Sequence, residues 1–366
     1  MILLSSVINQ FEADFLSAYQ GRILPSQLKA LGALKICRTQ YSPVMQVHCT
    51  DCDHQTFVPH SCGHRNCPHC QHHESQQWIE RQVKKQLPGH YFMMTFTLPA
   101  QLRALTWDHQ KSVYRLMFDC VWETLQAFSR NDKKLRGEPG VIAVLHTHSR
   151  KLDYHPHIHT VMPATVVDKL NKLTRTKQGK YLFNHKALAK VFRGKLLSKL
   201  AKENLVLPQA IPQKWVVDCQ QVGTGDKALI YLGRYLYRGV IREKDILSCQ
   251  DGKVTFRYQD SQTKQWKTRT ETGAKFLWLV LQHVLPTGFR RARNYGFLHP
   301  NSKVLINILR CLNKLKPQKI LEKIGLRQRP QLTCACCGGT MKVSRTRIPF
   351  VEALSIRSNT STLVLN

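Results

Sequence analysis

Histidines recur at every second position on two consecutive stretches that are predicted as β-strands. The pairs are His146 with His148, His155 with His157, and His157 with His159. A chain of 366 residues with 17 histidines would contain fewer than one such pair by chance. Since side chains two residues apart in a strand point to the same face, each strand presents its histidines together. Imidazoles gathered in this way are typical ligands of a divalent metal ion.

The turn between the two strands decides which histidines meet. A turn centred on residues 151–152 would place His146 directly opposite His157, at a cross-strand Cβ separation of about 5 Å. Together with His159, these imidazoles could bind one ion and leave coordination positions open for a substrate. His155 is predicted to lie too far out, and His148 is ambiguous between ligand and spectator.

The alternative is an exposed row of histidines that faces phosphate groups. Apolar residues at 141–145, Ile158 and Val161 predict that the opposite face of the hairpin packs on a core. This is the pattern of a sheet with one covered face, and it favours the metal site.

Two tyrosines, Tyr231 and Tyr235, stand four residues apart in a predicted helix at 227–238. This spacing puts both phenols on one helix face. Cations flank them on the same helix: Lys227, Arg234 and Arg238. A phenol is a weak nucleophile at its usual pKa of about 10, and a nearby metal ion and cations would stabilise its phenolate. Alone, the pair favours an amphipathic helix with half-buried tyrosines; the histidine hairpin upstream makes a nucleophile the better interpretation.

Cysteines crowd into a short N-terminal segment. Two C-x2-C pairs, Cys49 with Cys52 and Cys67 with Cys70, predict one tetrahedral Zn²⁺ site in a zinc ribbon. Cys62 is a spare ligand for this ion or for a second one. Four thiolates leave no position for water, so a structural ion is favoured over a catalytic one.

Another C-x2-C pair, Cys334 with Cys337, lies in the sequence CACCGG near the C-terminus. One pair supplies half of a metal site. Two interpretations stay open: a second zinc site completed by a distant residue such as Cys311, or a pair of buried thiols.

The surrounding elements predict an α+β fold built on an antiparallel sheet. Strands are predicted at 91–100, 141–148, 154–163 and 215–220, helices at 108–130, 185–204, 227–238, 272–284 and 301–325, and a hairpin around 260–264. Residues 1–40 are predicted helical, 137–140 a turn, and 165–184 a loop. The predicted domains are 1–85 with the zinc ribbon, 86–242 with the histidines and tyrosines, and a basic C-terminal region at 243–366.

The charge balance indicates the kind of partner. The chain has 55 Lys and Arg against 23 Asp and Glu, a formal charge of +32. This excludes an acidic scaffold, disfavours an ordinary small-metabolite enzyme, and predicts nucleic acid as the partner. No apolar run approaches the ~18 residues that span a bilayer, and no export signal is recognisable. Thiols in a reducing compartment are therefore expected to bind zinc.

The order of the motifs resembles the HUH-type single-strand endonucleases, and most closely the rolling-circle transposases of the insertion sequence 91 family. The resembling stretches are SCGHRNCPHC (61–70), YFMMTFTLPAQLR (91–103), VLHTHSRKLDYHPHIHTVMPA (144–164), YLGRYLYRGVI (231–241) and HVLPTGFRRARNYGFL (283–298), followed by CACCGG. They run in family order across most of residues 37–341. His148 departs from the family, where tryptophan is usual.

The resemblance implies a zinc ribbon followed by an HUH endonuclease domain with a ferredoxin-like, or palm, sheet. His157 and His159 would be the motif ligands of a Mg²⁺ or Mn²⁺ ion, although imidazoles suit Mn²⁺ better. The hairpin geometry offers His146 as the third ligand, whereas other HUH enzymes take that ligand from the tyrosine helix or elsewhere. Tyr231 and Tyr235 would be the two nucleophiles that form a 5′-phosphotyrosine. The implied partners are single-stranded and hairpin DNA at the element's ends and target DNA, in the bacterial cytoplasm at the nucleoid.

Other functions share parts of this pattern. A replication initiator or conjugative relaxase uses the same chemistry, although relaxases usually place the nucleophile before the histidine pair. A non-catalytic zinc regulator would need no tyrosine pair. A zinc hydrolase would release its product without a covalent adduct.

Overall fold

The computed structural model describes residues 1–168, 173–236, 239–260, 262–312 and 331–349. They form two compact units. The described parts of 1–73, 239–284 and 331–349 make up one unit, here called the cysteine unit, and those of 74–236 and 285–312 make up the other, here called the histidine unit. Each unit combines segments that are distant in sequence. The predicted domains, with boundaries near residues 85 and 242, are instead continuous stretches of the chain.

The elements in chain order are α1 (Leu4–Ala18), α2 (Pro25–Ile36), β1 (Val44–Cys49), β2 (Gln55–Pro59), α3 (His72–Val83), β3 (Tyr91–Thr97), α4 (Arg103–Asp108), α5 (Gln110–Asn131), β4 (Glu138–His148), β5 (Tyr154–Pro163), β6 (Thr165–Asp168), β7 (Leu173–Thr176), α6 (His185–Lys202), β8 (Val217–Gln221), α7 (Asp226–Leu236), β9 (Ile246–Gln250), β10 (Lys253–Gln259), β11 (Trp266–Thr272), α8 (Gly273–Leu281), β12 (Ala292–Gly296), α9 (Lys303–Leu312) and β13 (Met341–Ile348). Short 3₁₀ turns lie at Ala100–Leu102, Glu243–Asp245 and Pro300–Ser302.

An antiparallel sheet forms the centre of the histidine unit. Its strands lie in the order β7-β6-β4-β5-β3-β8, and β12 also pairs with β4. The predicted α+β class with an antiparallel sheet is confirmed. The strand prediction at 91–100 and the hairpin at 141–163 are also confirmed, because alternating and β-branched residues there fit a pleated surface.

Helices cover both faces of this sheet, so the expectation of one covered face was wrong. On one face Phe96, Ile158 and Leu145 pack against α5 and α6. On the other, Val144 and Val161 pack against α3 and α7. Val161 therefore lies on the histidine face rather than opposite it, since residues 157, 159 and 161 of one strand share a face.

Two loop predictions were wrong. Residues 137–140, predicted as a turn, include the start of β4, and the predicted loop at 165–184 contains β6 and β7. Gly140 does not make a turn: a Cβ there would lie 2.6 Å from the ring of Phe297, so the glycine permits close packing. The turn prediction was wrong because glycine is favoured both in turns and where a neighbouring side chain packs closely on the backbone.

The cysteine unit contains three helices and two small sheets among its described residues. Helices α1, α2 and α8 pack together, and the side-chain amide of Gln27 donates to the carbonyl of Leu281 at 3.1 Å. The sheets have the orders β11-β10-β9 and β13-β1-β2. The predicted helices near the N-terminus and at 272–284 and the hairpin around 260–264 are confirmed.

The predicted helix at 301–325 is confirmed over α9, and the rest of that prediction lies outside the described residues. Across the ranges that are described, no helix is both long and apolar enough to cross a membrane.

Candidate active site

The hairpin of β4 and β5 brings the predicted histidines face to face. His146 pairs with His157 in the register of the two strands, as a turn at 151–152 predicted. The register then shifts, so that His148 lies opposite Tyr154. The irregularity separates the two histidines of β4: only His146 stays in the regular ladder with the β5 pair.

His146, His157 and His159 form a compact cluster, here called the histidine cluster. One ring nitrogen from each residue lies within 4.8 Å of the others. His146 is buried, with 1% of its surface exposed, and the other two are half-buried. The cluster therefore opens toward solvent on one side while its inner ligand stays inside the unit.

Hydrogen bonds orient these rings for an ion. The Nδ1 of His159 lies 2.8 Å from the hydroxyl of Thr95 on the neighbouring strand, and the Nδ1 of His157 lies 2.6 Å from the carbonyl of His155. Both rings thereby keep Nε2 available for an ion, the usual arrangement behind metal-binding histidines. The Nε2 of His146 is buried and has no hydrogen-bond partner among the described residues. Such an orphaned buried atom fits a metal ligand.

The electrostatics also suit a metal ligand set. Burial lowers the pKa of His159 to about 4. Burial, and then the neighbouring His159, lowers the pKa of His146 and of His157 well below the ordinary value. All three rings are therefore neutral at pH 7, with lone pairs that can bind a cation.

His148 and His155 stand outside the histidine cluster. The Nδ1 of His148 contacts the carbonyl of Ser149 at 3.0 Å, and burial lowers the pKa of His148 to about 4. His155 contacts the guanidinium of Arg103 at 2.7 Å. The ring centre of His155 lies 5.2 Å from that of His157, but its nitrogens are not among those that meet in the histidine cluster.

Helix α7 lies across the histidine cluster because its inner face can approach α3 closely. A Cβ on Gly233 would lie 2.3 Å from Ile79, so only glycine fits there. The hydroxyl of Ser75 donates to the carbonyl of Gly233 at 2.8 Å and fixes the contact. The helix begins at Asp226 and carries Tyr231 and Tyr235 over the histidines.

The two tyrosines contact the histidine cluster in different ways. The ring of Tyr235 stacks on the ring of His146 with an interplanar angle of 13°. The ring centre of Tyr231 lies 6.0 Å from those of both His146 and His159. The structure thus brings together the predicted ligands and both predicted phenols.

Their exposure differs as well. Tyr231 is 48% exposed and borders a 780 Å³ cavity that Lys227 also lines. The hydroxyl oxygen of Tyr235 is buried. Burial raises the pKa of both phenols, and Arg291 opposes the rise at Tyr235. Both phenols are protonated at pH 7, so either would have to be deprotonated, with a metal ion or a cation stabilising the phenolate, before it could act as a nucleophile.

The cations of the site are only partly those that were predicted. Arg234 is exposed on α7, and Arg238 lies outside the described residues. The sequence reasoning missed Arg291, which is 7% exposed, lies 5.9 Å from the Tyr235 ring and donates to the carbonyl of Leu236 at 3.5 Å. It therefore lies at the carboxyl end of α7, where a cation is favourable. The only sequence signal was the Arg290–Arg291 doublet, which does not tell which arginine is buried.

The predicted zinc cysteines do not meet at one site. Cys67 and Cys70 gather with Cys37 and Cys62, whereas Cys49 and Cys52 gather with Cys334 and Cys337. Within each group the sulfurs lie within 4.8 Å of one another. The grouping by sequence proximity was wrong because β13, from the far end of the chain, pairs with β1 and brings its own cysteines. Cys37 was missed because it stands alone in sequence.

Two family models match the chain. One, described as "Transposase zinc-binding domain", matches residues 7–98, and one, described as "Putative transposase", matches residues 140–304. The first includes Cys37 and Cys70, and the second includes the histidine cluster and α7. The fold, the cysteine groups and these matches define a transposase with a zinc-binding domain.

Curated relatives carry the same description. A "Putative transposase" of Sinorhizobium fredii is 31% identical over 296 residues, which cover 75% of this chain and 74% of the relative. The "Transposase for insertion sequence element IS801" of Pseudomonas savastanoi pv. phaseolicola is 25% identical over 302 residues, or 76% of this chain and 72% of that protein. No solved structure matches significantly. The chain belongs to the transposases of the insertion sequence 91 family.

Proposed function

We propose that the chain cuts and rejoins single-stranded DNA by transesterification on tyrosine, in rolling-circle transposition. The observation that carries this proposal is the placement of Tyr231 and Tyr235 directly over the histidine cluster. A buried imidazole nitrogen without a hydrogen bond does not stabilise the fold. It is expected where a metal ion binds beside a phenol and activates that phenol as a nucleophile.

The reaction is a substitution at phosphorus. The phenolic oxygen forms a bond to the scissile phosphorus, the bond from phosphorus to the 3′ oxygen breaks, and that oxygen leaves as a 3′-hydroxyl after gaining a proton. The phenolic proton passes to water. A Mg²⁺ or Mn²⁺ ion bound by the histidine cluster would neutralise charge on the phosphate and favour the phenolate. The product is a 5′-phosphotyrosine that a second hydroxyl can later attack.

We infer that Tyr231 makes the first attack. Its half-exposed ring borders the 780 Å³ cavity, where a DNA strand could reach it, and Lys227 lines the same cavity. Tyr235 has a buried hydroxyl and a ring stacked on His146. It would act after the helix or the DNA has rearranged, while Tyr231 still holds the first strand.

A second cavity supports DNA binding by the same unit. A groove of 970 Å³ runs between α3, α5 and the segment 288–307, and its lining includes Arg81, Lys85, Lys111, Arg290 and Lys303. Burial, with the charges of Lys303 and Arg81, lowers the pKa of Lys85. Such mutual repulsion is relieved when a polyanion binds, so the groove suits a DNA backbone.

Replacing Lys111 and Lys303 together by alanine should weaken DNA binding and lower the salt slope of log K by about 2, because two phosphate contacts are lost. Fluorescence anisotropy over a salt series measures this slope. Lys190→Ala, on the exposed side of α6, is the matched control. A slope unchanged in the double variant would remove the groove from the binding surface.

The function itself is tested by incubating the full chain with Mn²⁺ and single strands that carry the element's end, followed by denaturing electrophoresis. The expected product is a covalent protein–DNA adduct with a released strand ending in a 3′-hydroxyl. Cleavage without an adduct would indicate a hydrolase. Binding without cleavage, by a preparation that loads metal at the histidine cluster, would indicate a regulator.

A further inference from the structure

Two short hairpins from opposite ends of the chain face each other in the cysteine unit. Cys49 and Cys52 flank the turn between β1 and β2, and Cys334 and Cys337 lie in the turn that precedes β13. In sequence, 282 positions separate Cys52 from Cys334. The zinc-binding family match ends at residue 98, so it does not include the second hairpin.

The sulfur positions fit a tetrahedral metal site. The Sγ of Cys337 lies 3.5 Å from those of Cys49 and Cys52, and the Sγ of Cys334 lies 3.7 Å from that of Cys52. A zinc ion with Zn–S bonds of about 2.3 Å holds its sulfurs about 3.8 Å apart. Disulfide sulfurs are only about 2.05 Å apart, so these distances do not describe bonded pairs.

Both turns have the same backbone hydrogen bonds. The amide of Cys49 donates to the carbonyl of His54 at 2.9 Å, and that of Cys334 donates to Gly339 at 2.8 Å, five residues on in each case. The amide two residues after each first cysteine donates to its sulfur at 3.4 Å. Amides directed at sulfur stabilise a thiolate, the form that binds metal.

The two turns are also packed for close approach. A Cβ on Gly339 would lie 2.3 Å from the carboxylate of Asp51, so the two turns approach each other closely here. The amide of Thr50 donates to the carbonyl of Thr340 at 3.0 Å. Strand β13 continues from there as the antiparallel partner of β1. The turns and strands together have the form of one zinc ribbon.

We propose that Cys49, Cys52, Cys334 and Cys337 bind a second structural Zn²⁺ ion, which joins the two ends of the chain into a single ribbon. This site is separate from the group of Cys37, Cys62, Cys67 and Cys70. Four thiolates complete its coordination, so the ion has no open position for catalysis. Its role is to hold β13, which carries Lys342, Arg345 and Arg347, against β1.

Differential alkylation of the full chain under reducing conditions tests the site without any substitution. Cys336 and Cys337 are adjacent and both exposed, but only Cys337 belongs to the proposed set. With zinc bound, Cys337 should react far more slowly with N-ethylmaleimide than Cys336, and chelation should abolish the difference. Equal reactivity of the two thiols in zinc-loaded protein would overturn the proposal.

Counting zinc by native mass spectrometry gives an independent test. With His157→Ala as the background, which keeps zinc out of the histidine cluster, the chain should carry two zinc ions, and Cys334→Ser with Cys337→Ser should leave one. Cys311→Ser and Cys336→Ser in the same background are matched controls that should keep both ions. One ion with all cysteines present, or two in the double cysteine variant, would contradict the proposal. Loss of an ion in Cys336→Ser would point instead to the alternative grouping of His54, Cys334 and Cys336.

Discussion

The histidine cluster and the cysteine groups gather metal-ligating side chains for opposite purposes. The histidine cluster offers three ligands on the face of a sheet, next to two phenols. Each cysteine group offers four thiols, which are enough to complete a tetrahedral coordination sphere. The two kinds of site differ in the number of protein ligands. An ion with three ligands has open coordination positions for a substrate, whereas an ion with four thiolate ligands has none and can only stabilise structure.

The elements that carry the ligands also differ between the two kinds of site. The histidines stand on the central strands of a sheet that helices cover on both faces, so their geometry is rigid. The cysteines lie in or next to short turns, where a bound zinc ion would add the stability that a small apolar core cannot supply. Loss of an ion should therefore disable chemistry in the histidine unit and local folding in the cysteine unit.

The largest expected effect follows the loss of a histidine ligand. His157→Ala should lower single-strand cleavage by about 10³-fold, since metal stabilisation of the reacting phosphate contributes several kcal/mol. Single-turnover cleavage at saturating Mn²⁺ measures it. His155→Ala, two residues away on the same strand and outside the cluster, is the control and should stay close to the unaltered rate. Equal losses in the two variants would mean that the cluster does not hold the reactive ion.

A smaller effect is expected at the residue that orients a ligand. Thr95→Val removes the hydroxyl that contacts the Nδ1 of His159 at 2.8 Å. Mn²⁺ affinity should fall by roughly 10- to 100-fold, with the cleavage rate at saturating Mn²⁺ recovered in large part. Isothermal titration with Mn²⁺, alongside rates over a Mn²⁺ series, separates affinity from rate. An unchanged affinity would show that this contact does not position the ring.

The smallest effect on the histidine cluster should come from the cysteine unit. Cys67→Ser with Cys70→Ser should remove one zinc ion and make the cysteine unit sensitive to protease. Mn²⁺ affinity at the histidine cluster should change by less than about twofold, because the two sites share no ligand residue. A large change in Mn²⁺ affinity would mean that the two kinds of site are coupled.

The histidine hairpin could be predicted from sequence because its geometry is local. A period of two and a short turn fix the pairing of His146 with His157 without any knowledge of the rest of the fold. The two tyrosines were equally accessible to prediction, since four residues make one turn of helix. Sequence could not order them, because their different exposure depends on what α7 packs against.

The cysteine groups could not be predicted from spacing alone. C-x2-C pairs show that each turn can bind metal, but they do not show which turns meet. That choice depends on the pairing of β1 with β13, a contact between the ends of the chain. Arg291 was missed for a related reason: it approaches α7 only because β12 returns to pair with β4.

The proposed tyrosine chemistry is tested most directly by identifying the tyrosine that becomes joined to DNA. The trapped adduct is compared among the unaltered chain, Tyr231→Phe, Tyr235→Phe and the double variant, and the modified peptide is located by mass spectrometry. We expect DNA to be attached at Tyr231, Tyr235→Phe to form this first adduct still, and Tyr231→Phe and the double variant to form none on a first-cleavage substrate. An adduct in the double variant would contradict tyrosine chemistry on α7, and a first adduct at Tyr235 would contradict the order assigned from exposure.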